Sequence, residues 1–293
     1  MADRRPPVLL LLSAVMRVLS RLSPRLASRI AFDLFRTPRR FRTPPRERAL
    51  LADGEPFEIA IGEHHKLQAW SWGTGPLVIL FHGWEGRGSQ LGAFLRPLVE
   101  AGYRVVVFDA PGHGASTGRT SSLPHFAWAL RGVAEAVGEP HAIIAHSLGC
   151  AAATLALRDG LAADRVVFLS PPLRPSDYTR QFGAMFGLSD RVVDGLRARV
   201  EERFLRKWDD FSLAAMAPHM KARLLVIHDR EDVETPWSGG ARLAELWPGA
   251  QLLTTVGLGH RRILREAATV DAATRFVREG GLALDAPLAD TIG

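Results

Sequence analysis

Ser147 stands in the run Ala145-His146-Ser147-Leu148-Gly149, between a short apolar stretch and a run of small residues. The first reads as a buried strand and the second as a helix. A serine on a sharp strand-to-helix turn is the setting of a hydrolytic nucleophile. The residues two places to either side must be small, because such a turn brings strand and helix backbones together. Gly149 meets that demand and Ala145 nearly does. The turn would aim the hydroxyl at a helix N-terminus, where backbone N–H groups favour developing negative charge. A serine at such a junction can equally be a simple helix cap, so the motif needs partners.

Partners of the right types follow the ends of other apolar runs. Phe81-His82-Gly83-Trp84 ends one of them. Gly83 would let the chain pass close to the serine, so that the N–H of Trp84 joins that of Leu148 as a pair of oxyanion donors. His228 to Pro236 is an acid-rich turn carrying Asp229, Glu231, Asp232 and Glu234, and Val256-Gly257-Leu258-Gly259-His260 brings a histidine between flexible residues. Serine, acid and histidine thus occur in that chain order, each at the carboxyl end of a different strand, where an open parallel sheet places its ligands. The histidine would take the serine proton and return it to the leaving group, and the carboxylate would fix its tautomer. Asp109, in Asp109-Ala110-Pro111-Gly112-His113-Gly114, is a second candidate acid, read here as scaffolding.

The elements that must position these residues are legible as alternation. Phe57–Ile61 and Leu67–Trp72 alternate as an antiparallel hairpin. Short β-branched and aliphatic runs then follow at Leu77–Phe81, Arg104–Asp109, His141–His146, Arg165–Ser170, Leu224–His228 and Gln251–Thr255. Such runs are strands buried on both faces. Helical stretches near 89–101, 121–137, 148–160, 236–247 and 262–279 separate them. The predicted fold is α/β, a mostly parallel central sheet flanked by helices. Residues of about 171–221 interrupt the rhythm and are too many for a bare loop, which predicts a helical lid.

With these motifs in this order, residues of roughly 57–277 resemble the α/β-hydrolase superfamily, and in particular a serine esterase with a short lid. The resemblance implies Ser147 as nucleophile, His260 as base, Asp232 as acid because it precedes Pro236 by a few residues, and the Trp84 amide after His-Gly. It departs from the pattern at Ala145, where relatives carry glycine, which implies strain rather than lost function. The expected reaction is carboxylic ester hydrolysis on a small-molecule substrate, with no metal or cofactor. Thioesters, lactones, carbon–carbon bonds and acyl transfer are alternatives on the same residues. Haloalkane and epoxide chemistry is disfavoured, because those relatives have aspartate where this chain has Ser147. A binding protein that merely keeps the fold is the alternative of another class. His146 and, from the insertion, Phe182, Met185 and Phe186 are the candidate pocket residues, with His146 expected to point away from the base.

Composition limits the remaining choices. The net charge of +6 suggests nucleic acid as a partner. However, residues 1–50 hold 12 arginines against three acids, and the rest of the chain is net −3. A nucleic-acid-binding body would be basic itself, so none is expected. Cys150 is the only cysteine, which excludes an internal disulfide, fits a cytoplasmic protein and reads as a small core residue. His82 is expected to brace its own loop, and His64-His65 to lie in the hairpin turn with no metal.

Residues 1–50 read as a helical extension and linker ahead of a hydrolase domain at 51–293. The apolar run Val8–Met16 after Arg4-Arg5 is interrupted by Arg17 and lacks a cleavage site, so it is not taken for a leader. Leu12, Val15, Met16, Leu19 and Leu22 form one helical stripe, and Ser23-Pro24 starts a second helix carrying Leu26 and Ile30. The duplicated Phe-Arg-Thr-Pro at 35–38 and 41–44 reads as an extended linker. Packing on the body is the expected fate of the stripe. Self-association or peripheral contact with an anionic membrane through residues 8–36 is the alternative.

Overall fold

The structure, a computed structural model, describes residues 7–63 and 65–282; His64 and the tail beyond 282 lie outside it. Among the described residues, eight strands form one sheet: β1 (Glu55–Ile61), β2 (His65–Trp72), β3 (Leu77–Phe81), β4 (Arg104–Phe108), β5 (Ala142–His146), β6 (Arg165–Leu169), β7 (Arg223–Asp229) and β8 (Gln251–Thr255). Their spatial order is β1-β2-β4-β3-β5-β6-β7-β8. β2 runs antiparallel to β1 and β4, and all other pairs are parallel.

Why the inner strands are apolar throughout is visible in their alternation. Ile79 and Phe81 of β3 face one core, while Val78 and Leu80 face the other; β5 divides Ile143 and Ala145 from Ala142 and Ile144 in the same way. Each face is covered by helices, so every side chain of β3 and β5 is buried and no polar alternation survives. β8 is the exception. It pairs only with β7 and is half-buried along its length, the signature of an edge.

Among the described residues, twelve α-helices accompany the sheet: α1 (Pro7–Leu22), α2 (Pro24–Phe35), α3 (Pro45–Ala52), α4 (Leu95–Glu100), α5 (Leu123–Val137), α6 (Leu148–Arg158), α7 (Asp177–Phe186), α8 (Asp190–Phe204), α9 (Leu213–Met216), α10 (Trp237–Leu246), α11 (Gly259–Arg262) and α12 (Ala267–Glu279). Residues of α5, α6 and α10 fill one core, and residues of α4 and α12 the other. The helix expected over 89–101 is split, with 3-10 geometry at Gly88–Phe94 before α4. Close approach explains the tight winding: a Cβ on Gly88 would lie 2.9 Å from the Phe108 carbonyl, and one on Gly92 2.5 Å from Leu50. The single helix expected over 262–279 is two, with His260 inside the short α11. Between β6 and β7 the chain runs through α7, α8, α9 and two 3-10 turns, the helical insertion foreseen from sequence.

The extension is bound to the body more firmly than a linker would be. Arg40 donates to the carbonyls of Gly112, Gly114, Ser116 and Gly118, and Arg39 forms a two-pronged pair with Glu85. The unforeseen α3 buries Glu47, whose carboxylate takes Arg87 at 2.6 and 2.9 Å and the Ser89 hydroxyl at 2.7 Å. Removing one partner of such a buried pair typically costs about 3–5 kcal/mol. The duplicated Phe-Arg-Thr-Pro segment is therefore an arginine clasp on the turns around Gly112 and Glu85.

Candidate active site

Ser147 occupies the turn from β5 to α6 with φ 51° and ψ −122°. Such a conformation costs a non-glycine residue roughly 1–3 kcal/mol and persists only when its surroundings impose it. They do so here. The Ser147 amide is held by the Leu169 carbonyl at 2.9 Å, and the Ser147 carbonyl accepts from Cys150. Gly149 is obligatory, since a Cβ there would be 2.6 Å from the His82 carbonyl oxygen. Glu85 and Ser170, after β3 and β6, also have positive φ, so three of the four such non-glycine residues described lie at this rim of the sheet.

Asp232 and His260 arrive from the turns after β7 and β8. His260 Nδ1 is 2.8 Å from Asp232 Oδ2, which leaves Nε2 as the nitrogen for proton transfer. The carboxylate also accepts the amides of Glu234 and Thr235 through Oδ1, each at 2.9 Å, and the Thr235 hydroxyl through Oδ2. Burial by itself would raise the Asp232 pKa. Hydrogen bonds from His228 and His260 outweigh it and hold this acid well below the usual carboxylate range. The three competing acids of the turn are used otherwise. Asp229 accepts from Leu258, Thr255 and Glu231, tying down the loop that delivers His260; Glu234 pairs with Arg261; and Glu231 contributes its amide to Asp229. Gly257 and Gly259 have φ of 80° and 62°, the left-handed region that this loop needs.

The turn after β3 runs against the nucleophile. A Cβ on Gly83 would lie 2.9 Å from Ser147 Cβ, so the turn that carries Trp84 passes close to the serine turn. Leu148 opens α6, so its amide is one of the four at a helix start without an intrahelical acceptor. His82 braces this turn as expected. Its Nδ1 donates to the Gly83 carbonyl at 2.7 Å and its Nε2 accepts from Ala110, while burial lowers its pKa to about 4. His113, not singled out from sequence, does the same for the next residue by accepting the Glu85 amide, with its pKa lowered to about 3 by burial. Asp109 is scaffolding: Oδ1 accepts from Gly88 and Oδ2 from Ala115. Cys150 is buried, and its thiol pKa is pushed well up by desolvation.

Two pocket expectations need correction. His146 does not point away from the base. Its ring lies 4.6 Å from that of His260, and its Nε2 is 3.0 Å from the His260 carbonyl. Burial, reinforced by His260, holds it neutral. Phe182, Met185 and Phe186 are turned toward the N-terminal helices. Phe182 packs edge-on against Phe35 of α2 at 5.4 Å and against Phe186, and Met185 is 49% exposed with its carbonyl bonded to Ser13. The helix period explains the miss, because α7 meets the body at its first turn and α1–α2 at its last. The residue of α7 that does reach the site is Tyr178, whose hydroxyl lies beside Ser147 and whose pKa burial raises. A tyrosine one turn before a Phe-rich stretch carried no signal in the sequence. Beside it, Pro171, Leu173, Tyr178, Gln181, Glu234 and Thr235 line a cleft of about 160 Å3. His228 and Thr235 were also missed, and both are buried around Asp232.

A strained serine between β5 and α6, beside a histidine–aspartate pair at the carboxyl rim of a mainly parallel sheet, defines a protein of the α/β-hydrolase class. A family model described as alpha/beta hydrolase fold matches residues 76–253, and the chain belongs to that family. Among solved structures, an esterase from Exiguobacterium antarcticum superimposes with TM-score 0.60 at 15% identity, covering 76% of this chain and 100% of that one. A bromoperoxidase from Bacillus anthracis gives 0.59 at 17% identity, covering 76% and 99%. These likenesses concern the fold. In sequence, the chain is 44% identical over 46 residues to a non-heme chloroperoxidase from Kitasatospora aureofaciens, a match spanning 16% of this chain and 17% of that protein.

Proposed function

We propose that this hydrolase-fold chain cleaves carboxylic esters through an acyl-enzyme on Ser147. The observation that carries the reading is the 2.8 Å contact of His260 Nδ1 with a deeply ionised Asp232, one ring away from the residue preceding the strained serine. In this mechanism Ser147 Oγ adds to the ester carbonyl as His260 Nε2 takes its proton. Asp232 keeps the Nδ1–H tautomer and stabilises the imidazolium. The oxyanion is met by the Trp84 and Leu148 amides, each such donor being worth about 3 kcal/mol. His260 then protonates the departing alcohol, and water, activated by the same imidazole, releases the acid. His146, held neutral, places no second positive charge beside the imidazolium. Tyr178, whose hydroxyl lies beside Ser147, is in position to hydrogen-bond an ester oxygen of the bound substrate.

A fluorophosphonate probe tests the nucleophile. Wild type is labelled on Ser147, and Ser147→Ala is not. A folded wild type that resists labelling and leaves p-nitrophenyl esters of every chain length untouched would sink the proposal. Bromide oxidation by hydrogen peroxide, run alongside, reads the activity carried in the names of two of the relatives.

A further inference from the structure

We propose that the outer face of α1, continued by the start of α2, is a docking surface for an anionic lipid bilayer. One face of α1 is already satisfied. Met16 is 1% exposed and packs with Ala27, Ala31 and Val192, flanked by Leu12 and Leu19. Small residues do much of this work, as at Ser28 of α2, where a Cβ on Gly195 of α8 would come within 2.8 Å. Close contact through small side chains leaves larger ones uncovered. Leu11, Val15, Val18 and Leu22 are 68%, 52%, 56% and 79% exposed, and their spacing of four, three and four sets them on a single line along the helix. Leu10 and Leu26 extend it, so six of the twelve exposed large hydrophobics described fall within residues 10–26. The stripe expected from sequence to be buried therefore has Leu12, Met16 and Leu19 inside and Val15 and Leu22 outside.

Charge decides between occupants. From residue 7 to 32 there is no acidic residue, while Arg17, Arg21, Arg25 and Arg29 are exposed on the same two helices. A second copy docking by two-fold symmetry would bring these arginines face to face. Anionic headgroups would neutralise them while the apolar line enters the acyl boundary. The helix would lie in the plane of the surface, because no described helix is long and apolar enough to cross a membrane. The surface is also joined to the candidate site. The Ser13 hydroxyl of α1 contacts the Met185 carbonyl near the end of α7, the Arg17 side chain covers Gly187, and the first turn of α7 carries Tyr178, which lies beside Ser147.

Density-gradient flotation of the full chain with phosphatidylcholine vesicles, with and without phosphatidylglycerol, tests the surface. The chain should float only with the anionic vesicles, and less so as salt is raised. Val15→Glu with Val18→Glu should lower the bound fraction by roughly tenfold, as should Arg21→Glu with Arg25→Glu. Both variants should keep the wild-type circular dichroism and melting temperature, since all four side chains face solvent. No flotation of the folded wild type, or flotation untouched by the Val15/Val18 pair, overturns the proposal. So does a dimer in light scattering that the Val15/Val18 pair dissolves without any vesicle binding. None of these readouts depends on the ester reading.

Discussion

Asp109 and Asp232 are both buried aspartates beyond the carboxyl end of a strand, and both accept backbone amides through their two oxygens or one. Their acidities nevertheless move in opposite directions. Burial dominates at Asp109 and raises its pKa, because the amides of Ala115 and Gly88 and the more distant Arg87 and Arg40 only partly compensate. At Asp232 burial is outweighed by hydrogen bonds from His228 and His260. The turn after β4 is closed over its carboxylate so tightly that a Cβ on Gly114 would overlap it at 2.0 Å. The turn after β7 instead leaves one oxygen facing an imidazole. A buried acid becomes scaffold or candidate catalyst according to what the neighbouring strand delivers to it, not according to its place at the strand end.

Exchanging each carboxylate for its amide would break or sharpen this contrast. Asp232→Asn should lower kcat for a p-nitrophenyl ester by about 10^3- to 10^4-fold through loss of the correct imidazole tautomer, with the fold retained by circular dichroism. Asp109→Asn should do the reverse. Its amide N–H2 would confront the N–H of Gly88 or Ala115, destabilising the protein by about 1–3 kcal/mol in urea titrations with kcat little changed. A large kcat loss in a well-folded Asp109→Asn protein would reverse the two roles.

The pH dependence of stability separates the same pair. Asp232, depressed in the fold, contributes stability fully above the ordinary aspartate value of 3.8, and that contribution is lost as pH falls toward its folded pKa. The gap between wild type and Asp232→Asn should therefore widen from pH 3 to pH 6. Asp109, raised in the fold, costs stability as pH climbs through its folded pKa, so the gap to Asp109→Asn should narrow with rising pH. Denaturation at a series of pH values measures both slopes, and slopes of the same sign would contradict the contrast. The smallest effect is expected at Tyr178→Phe. Losing one neutral hydrogen bond to the proposed ester, worth about 1 kcal/mol, should alter kcat/KM by roughly fivefold or less, with fluorophosphonate labelling of Ser147 retained.

Much of the site could be read in the sequence because its constraints are local. Gly149 had to be small for a strand and helix to meet at Ser147, and Gly257 and Gly259 had to be flexible for His260 to be delivered; the backbone bears out each requirement. His82 and Asp109 were legible as braces because each makes one bond within its own turn, to Gly83 and to Ala115, although each also ties that turn to the other's strand end. Tyr178, His228 and Thr235 were not legible. Tyr178 acquires its meaning from Ser147 far along the chain, and His228 and Thr235 act through Asp232 within one turn whose shape neither a helix period nor a strand pattern encodes. The same holds for α3, whose short helix is marked mainly by the burial of Glu47 against Arg87 forty residues later.

The sequence by itself determined the alternation of strands and helices, the strained serine turn and the order of the candidate nucleophile, acid and base, because periodicity and glycine placement act over a few residues. Only the tertiary structure decided which acid meets His260, that His146 lies against the base, that Tyr178 rather than Phe182 reaches Ser147, and which side of α1 stays bare. Those outcomes depend on how separate elements pack, where rotating one helix by about half a turn, roughly two residues, exchanges its buried and exposed side chains.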